Sequence, residues 1–413
     1  MIRENLTKAL GIGVLAGLTT LSAEAGDNTS LLKKLVEKGV ITQAEADALL
    51  EESNAEFNEQ VPKWVESITL KGDLRLRYDH TKDSPSNNSA ANDRWRYRFR
   101  FGGTADMSNG VKAGFRLATG GENGDDDIGS TNQTFDRGFA RDTISLDQAW
   151  AQMDVGEVTL IGGKMQNWDK TGWGVSKALF DSDITPEGFE AHYSTEAAGT
   201  EIGLHGGAYF LNGENASSED ITNMFMAQVT SSTSLNDTTE LDLGLGAYSV
   251  DDEGLGMAGK GARAGNTSGV GYTPIFLDAA LGLNGIGNGV KVYGTWVNNQ
   301  ESAATKDTGY ATGIKYGSAK KAGQWETKFE YRSIEKDAVW DDLAHSDFGA
   351  FGAGGTADEF KSGTNVEGII LQGKYMIYDN VQFALTWMHT ESEDGVADDE
   401  SNNRIQADLI FKF

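Results

Sequence analysis

The nine residues Asp93-Arg94-Trp95-Arg96-Tyr97-Arg98-Phe99-Arg100-Phe101 constrain this chain more than any other stretch. From Arg94 onward, arginine alternates with an aromatic residue. Successive side chains of a β-strand point to opposite faces. Arg94, Arg96, Arg98 and Arg100 therefore share one face, and Trp95, Tyr97, Phe99 and Phe101 share the other. A helix would scatter both sets around its circumference, so the period is that of a strand. The aromatic face needs an apolar medium, and the arginine face needs water or anions. A soluble sandwich meets both needs by burying the aromatics and exposing the arginines. A membrane barrel meets them by turning the aromatics to lipid and the arginines into a water-filled lumen. The choice between them lies in the rest of the chain.

Composition removes several alternatives. The chain has 413 residues with 52 Gly, 4 Pro and no Cys, so it has no disulfide framework, thiolate metal site or cysteine nucleophile. Its 35 basic and 62 acidic residues leave a net charge of −27, which opposes any nucleic-acid partner. No run approaches the roughly 18 consecutive apolar residues of a transmembrane helix, which excludes a helical membrane protein.

The N-terminus reads as an export signal. Arg3 and Lys8 supply a positive region, Ala9 to Leu21 an apolar one, and Ala23-Glu24-Ala25 small residues for cleavage before Gly26. Residues 1–25 are thus expected to be a signal peptide. In the region 26–63, residues 30–58 have helical spacing. Leu31, Leu32, Leu35 and Val36 share a face, Gly39 breaks the run, and Thr42-Gln43-Ala44-Glu45 is a capping box. Ala46, Leu49 and Leu50 continue the apolar side of the second helix. The expected element is a short amphipathic hairpin that acts as a stalk or spacer. Self-association or attachment to the cell wall is its second reading.

From Ser67 the character changes. Ile68, Leu70, Leu74, Leu76 and Tyr78 alternate with Thr69, Lys71, Asp73, Arg75 and Arg77, which makes a first strand. The arginine-aromatic stretch is the second. Further segments near 110–120, 143–155, 156–166, 187–195, 200–211, 222–233, 238–250, 272–284, 288–300, 308–319, 323–335, 364–377, 380–392 and 401–413 bring the total to sixteen. Each is about as long as a tilted strand needs to cross a bilayer.

The connections decide between sandwich and barrel. Asp106 to Gly110, Asp154 to Glu157, Asn284 to Gly289, Ser318 to Gln324 and Tyr378 to Asn380 are short. They alternate with the long stretches Gly120 to Asp142, Gln166 to Pro186, Val250 to Gly271 and Ile334 to Thr364, all expected to be external loops. Outer-membrane barrels have this asymmetry, and sandwiches have no reason for it. Energetics agree. A lipid-facing Arg near the bilayer midplane costs roughly 2–4 kcal/mol, so the arginines of residues 94–100 must face the lumen. In the last strand Ile405, Ala407, Leu409, Phe411 and Phe413 form the lipid face, while Arg404, Gln406, Asp408 and Lys412 face inward.

An amphipathic final strand ending on the aromatic Phe413 resembles the assembly signal of bacterial outer-membrane barrels. With the export signal, the sixteen strands and the long connection after the fifth, the chain after residue 60 resembles the general bacterial porins. The helical hairpin ahead of residues 64–413 makes it look most like the putative-porin family of Gram-negative bacteria. Gly162-Gly163-Lys164-Met165-Gln166 is loosely similar to the strand-five ending of those porins. The resemblance implies an all-β protein, a sixteen-stranded antiparallel transmembrane β-barrel behind a short periplasmic helical hairpin. It also implies a place in the cell outer membrane among lipids and lipopolysaccharide, and recognition of the strand ending at Phe413 by the barrel-assembly machinery. A homotrimer and passive diffusion of small hydrophilic solutes and ions follow from it too.

The resemblance also places a constriction. In porins of this layout the loop after strand five folds into the barrel. Here that loop is Asn167 to Thr185, with Trp168, Trp173 and Phe180 as packing anchors and Asp169, Asp181 and Asp183 as charges. Opposite it would stand a basic wall of Arg75, Arg77, Arg94, Arg96, Arg98, Arg100 and Arg116. Inward positions two apart are about 7 Å apart, so Arg94 to Arg100 would form a ladder about 20 Å tall. The ladder favours anions and the net charge favours cations, so weak selectivity is expected. The runs Asp125-Asp126-Asp127, Asp251-Asp252-Glu253 and Asp398-Asp399-Glu400 lack the spacing of a calcium loop and read as solvated loop charge, with no metal or cofactor implied. His80, His192, His205, His345 and His389 fall in no catalytic motif, so no enzyme is expected. Beside the diffusion channel stands one alternative, a structural protein that tethers the envelope to the cell wall through its N-terminal helices.

Overall fold

Strand spacing dominates the structure, a computed structural model. It describes residues 32–49, 62–84, 91–120, 130–135, 138–174, 180–212, 222–250, 266–267, 270–349, 363–393 and 401–413. The expected signal peptide and the acidic runs at 125–127, 251–253 and 398–400 lie outside the described residues.

The chain divides into a smaller unit, Met1–Lys71 with Gly102–Gly114, and a larger one, Gly72–Phe101 with Phe115–Phe413. In the smaller unit, residues 32–37 and 43–49 are helical. Gly39 breaks between them in the left-handed region at φ +66°, a conformation that costs other residues steric strain. The capping box closes in both directions. Glu45 N–H donates to Thr42 Oγ1 at 3.2 Å, and Thr42 N–H donates to the Glu45 carboxylate at 2.8 Å.

The sheet opens with β1 (Val65–Ser84), β2 (Asn92–Met107) and β3 (Val111–Thr119). The two-residue β4 (Gln133–Thr134) pairs with β2 across Arg96 and Tyr97. It lies in the stretch 120–142, for which the sequence predicts only a long loop. Then follow β5 (Ile144–Val155), β6 (Val158–Lys164), β7 (Glu187–Ala197), β8 (Thr200–Asn212), β9 (Thr222–Asn236) and β10 (Thr239–Val250). The chain continues through β11 (Pro274–Leu283), β12 (Val290–Asn299), β13 (Thr308–Gly317), β14 (Trp325–Ile334), β15 (Val366–Tyr378), β16 (Val381–Ser392) and β17 (Ser401–Lys412).

Apart from β4, each strand pairs with its neighbours in sequence, and β1 closes the ring on β17 from Asp73↔Lys412 to Ser84↔Ser401. This is a closed sixteen-stranded antiparallel barrel. Closure leaves no sheet edge, so the backbone groups of the strands are satisfied where no water could bond them.

Faces alternate as the period demands. On β16 Phe383 and Leu385 are exposed while Gln382, Thr386 and Thr390 are buried. On β9 and β10 Phe225, Val229, Leu243 and Leu245 are exposed, with Gln228 buried. The outside is apolar and the inside polar, the arrangement of a barrel in lipid. Replacing both Leu243 and Leu245 by Arg is expected to block assembly, at roughly 2–4 kcal/mol for each residue near the midplane. The check is loss of the fast-migrating unheated form on gels.

A candidate constriction built by two inward loops

The connection between β6 and β7 folds inward. Gly163 turns the end of β6 at φ +118°, where an added Cβ would stand 2.3 Å from the Ala149 carbonyl oxygen. Only glycine fits there. Met165 N–H then donates to the Pro186 carbonyl at 2.7 Å and closes the base of the loop. Asn167 holds its two arms together, donating from Nδ2 to the carbonyls of Asp181 at 2.8 Å and Ile184 at 3.0 Å. The Asn167 side chain also caps the short helix Trp168–Thr171, accepting from Asp169 N–H. Trp168 packs edge-on against Phe180 and Tyr209, with ring centres 4.9 and 5.5 Å apart. Trp173 lies 5.6 Å from both His192 and His205. The three expected anchors, Trp168, Trp173 and Phe180, are all buried.

A second loop follows β14, and here the sequence expectation of a simple external loop needs correction. Ala338, Val339, Trp340, Leu343 and Ala344 are each at most 5% exposed and join the same apolar cluster as Trp168 and Phe180. Asn299 Nδ2 donates to the Asp337 carbonyl at 3.0 Å, and Trp340 N–H donates to the Tyr248 hydroxyl at 3.0 Å. The physical reason is apolar burial. Five such side chains inside a polar-walled barrel gain most by covering one another and the first loop.

The two loops bond to each other. Asp181 N–H donates to the Leu343 carbonyl at 2.8 Å, and the Asp181 carboxylate accepts from Ser346 N–H at 2.7 Å and Asp183 N–H at 2.9 Å. Burial, with the Asp183 charge second, pushes the Asp181 carboxyl up to about 6. Burial lowers His345 to about 3, which keeps its ring neutral, so that Nδ1 accepts from Asp347 N–H at 3.2 Å. Burial would raise Asp347, but the guanidiniums of Arg404 and Arg77 outweigh it and hold the carboxyl well below its usual range.

Both loops reach the arginine wall. Asp183 stands 3.8 Å from Arg98 and 3.8 Å from Arg100. Asp347 pairs with Arg77 at 3.3 Å and Arg404 at 2.9 Å. Carboxylates on the strands take the remaining bonds. Asp73 binds Arg98 and Arg100 at 2.8 Å each. Asp79 binds Arg94 at 2.7 Å and Arg404 at 2.8 Å. Asp408 binds Arg77 at 2.7 Å, and Asp147 pairs with Arg116. Arg75 and Arg96 instead meet the stretch before β4. Arg75 bonds the Asn132 side chain, and Arg96 donates at 3.4 Å both to the Ser130 hydroxyl and to the Asn132 carbonyl.

All seven expected arginines thus lie on β1, β2 and β3, with acids and amides around them. Of the three expected acids, Asp183 approaches the ladder, Asp181 ties the loops together, and Asp169 pairs with Lys170 at 3.0 Å. Sequence reasoning puts Arg404 and Asp408 on the inward face without joining them to the wall, and it misses Asp73 and Asp79 as partners, although strand parity puts them on the arginine face. It also missed Asp347, for which no local signal exists. Among the described residues no group of His, Asp and Glu is arranged to hold a metal ion.

A closed barrel with an apolar outside, a charged wall and inward-folded loops defines an outer-membrane diffusion channel. The family comparison agrees. Residues 80–254 and 278–413 match the model described as "Putative porin", and the chain belongs to that family. Among solved structures it is similar to OprB of Pseudomonas putida, determined at high pH. The identity is 10%, the TM-score is 0.55, and the alignment covers 87% of this chain and 97% of that one. A triple mutant of the Rhodopseudomonas blastica porin aligns at 11% identity and TM-score 0.45, over 84% of this chain and 100% of that one. A search of curated proteins found no match. The protein is a porin of the cell outer membrane.

The junction of the loops carries a pH test. An acid raised in the folded state stabilises the fold below its unfolded value, near 4, and that contribution is lost as pH rises through about 6. Asp181→Asn removes the titration. The melting temperature of the wild type minus that of the variant is expected to fall between pH 4 and 6 and to level off above 7.

Proposed function

We propose that this porin discriminates weakly by charge, because a basic wall on β1, β2 and β3 faces carboxylates carried by two inward loops. The observation that carries this reading is the approach of Asp183, on the first loop, to within 3.8 Å of both Arg98 and Arg100. Positive and negative groups set side by side along a water-filled path, as these loop acids and arginines are, make a local field in it. Such a field orients dipolar solutes and lets small ions of either sign pass. Acids near the wall offset much of its charge, so the selectivity is weak.

The reading extends to the rest of the chain. Residues 1–25 act as a cleaved signal peptide, 26–63 as a periplasmic helical hairpin with linker, and 64–413 as the barrel. The barrel works as a homotrimer among outer-membrane lipids and lipopolysaccharide, assembled through the strand that ends at Phe413. It catalyses no reaction. The hairpin serves as a spacer with contact to the cell wall, so deleting Ser30 to Asn58 is expected to leave conductance in planar bilayers nearly unchanged.

The selectivity is tested by replacing Arg94, Arg96, Arg98 and Arg100 with Gln, singly and together, and measuring reversal potentials across a salt gradient. At an effective dielectric of about 20, with water and salt screening, each charge contributes about 1 kcal/mol or less to an ion several ångströms away. The four together are expected to shift permeability clearly towards cations. An unchanged reversal potential in the fourfold variant would place the selective part of the path elsewhere.

A further inference from the structure

The arginine wall contains two cations of a different kind from the rest. Among the described residues, Arg77, Arg94, Arg98, Arg100, Arg116 and Arg404 each have a carboxylate within ion-pair distance. Arg75 and Arg96 have none. Both turn to one short stretch of neutral acceptors, the Ser130 hydroxyl and the side-chain and carbonyl oxygens of Asn132. That stretch is held in place by further bonds beside those to the two guanidiniums. Its β4 residues pair with β2 at Arg96 and Tyr97, and Ser130 Oγ accepts from the Asn132 side-chain amide at 3.0 Å.

Neutral acceptors solvate a guanidinium without cancelling its charge. Arg75 is 8% exposed, so its charge sits where water does little to stabilise it. Its Nε–H and that of Arg96 are shut off from solvent with no acceptor among the described residues. Asp408 and Asp183 act on Arg75, and Asp347 and Asp79 on Arg96, only through space. Both charges therefore lack a directly bonded acid, which is costly, and leaving donors unmade adds to that cost. Both guanidiniums reach Asn132, and the outer N–H groups of such planar forks match the oxygens of a phosphate or carboxylate. Arg96 is only half-buried, which leaves a way in from the lumen.

Resting on the reading of this wall as pore-lining, we propose that Arg75 and Arg96, braced by Asn132, form a binding site for a small oxyanion drawn from the permeating solution. The site bonds the anion through guanidinium N–H groups, and the anion supplies the counter-charge that the neighbouring arginines receive from aspartates. A doubly charged anion of the phosphate class binds more tightly than a singly charged carboxylate, because two cations meet it.

The test is calorimetric titration of the purified full-length protein, in detergent at low salt and neutral pH, with inorganic phosphate and separately with acetate. Saturable phosphate binding is expected, at least several-fold tighter than acetate. The Arg75→Gln, Arg96→Gln double variant is expected to bind phosphate at least tenfold more weakly. Lys82→Gln, which removes an exposed charge outside the site, should leave binding within twofold of wild type. Absence of saturable phosphate binding, equal affinity in the double variant, or acetate binding as tightly as phosphate overturns the proposal. If the double variant loses heat-modifiable folding, Asn132→Asp replaces it. That change puts a carboxylate between the two arginines and should weaken phosphate binding at least tenfold; retained binding again overturns the site. Reversal potentials on the same preparations separate the two readings. Arginine-dependent selectivity without phosphate binding removes the site alone, whereas loss of that selectivity removes the pore-lining wall on which it rests.

Discussion

Hydrocarbon offers no hydrogen bonds, so a chain that crosses it with strands has to close its sheet. That requirement shapes everything else in this protein. Closure fixes two faces on every strand, and lipid takes the apolar one. Polar and charged side chains are thereby concentrated inside a ring, where they must find partners in one another, in water or in loops that fold back. The buried Gln228, Gln382, Thr386 and Arg404 are consequences of this sorting. So are the exposed Leu243, Leu245, Phe383 and Leu385, which in a water-soluble protein would be a liability.

The position of the two inward loops follows from counting round the ring. One loop leaves between the fifth and sixth barrel strands, β6 and β7, and the other between the thirteenth and fourteenth, β14 and β15. These roots are eight strands apart in sixteen, hence on opposite sides. The arginine wall, on β1, β2 and β3 with Arg404 of β17 beside it, stands about a quarter of the ring from each. The loops meet through Asp181 and Leu343, and each sends one carboxylate to the wall, Asp183 from the first and Asp347 from the second. Three surfaces distant in sequence are thus tied together by apolar contact and by charge.

How much of this the sequence reveals depends on whether a signal is local. The barrel strands were legible because a period of two repeats over ten residues and survives errors at its ends. The first loop was legible in part, since Trp168, Trp173 and Phe180 are large apolar residues in a connection that needs none. The resemblance of the layout then said which way they point. The second loop was not legible. Ala338-Val339-Trp340 precedes Asp341-Asp342 with no periodicity, and its burial depends on a partner loop about 160 residues earlier, through Asp181 and Ser346. The two-residue β4 escaped for the same reason, because pairing that short leaves no pattern in sequence.

The wall also shows why an arginine ladder is more than a row of positive charges. Asp73 bridges Arg98 and Arg100, and Asp79 bridges Arg94 and Arg404, so these cations are fixed by bonds that also hold neighbouring strands. Removing one partner of such a buried pair commonly costs about 3–5 kcal/mol, because the other charge is left uncompensated. Arg77, with Asp408 on the wall and Asp347 on a loop, couples the barrel to the structure inside it. A pairing of this kind holds its charges in fixed positions, since bidentate geometry and burial restrict the side chains that make it. Where the partners are neutral, as at Asn132, the guanidinium keeps its full charge. Under the proposed reading, charge selectivity depends on where carboxylates are withheld as much as on where arginines are placed.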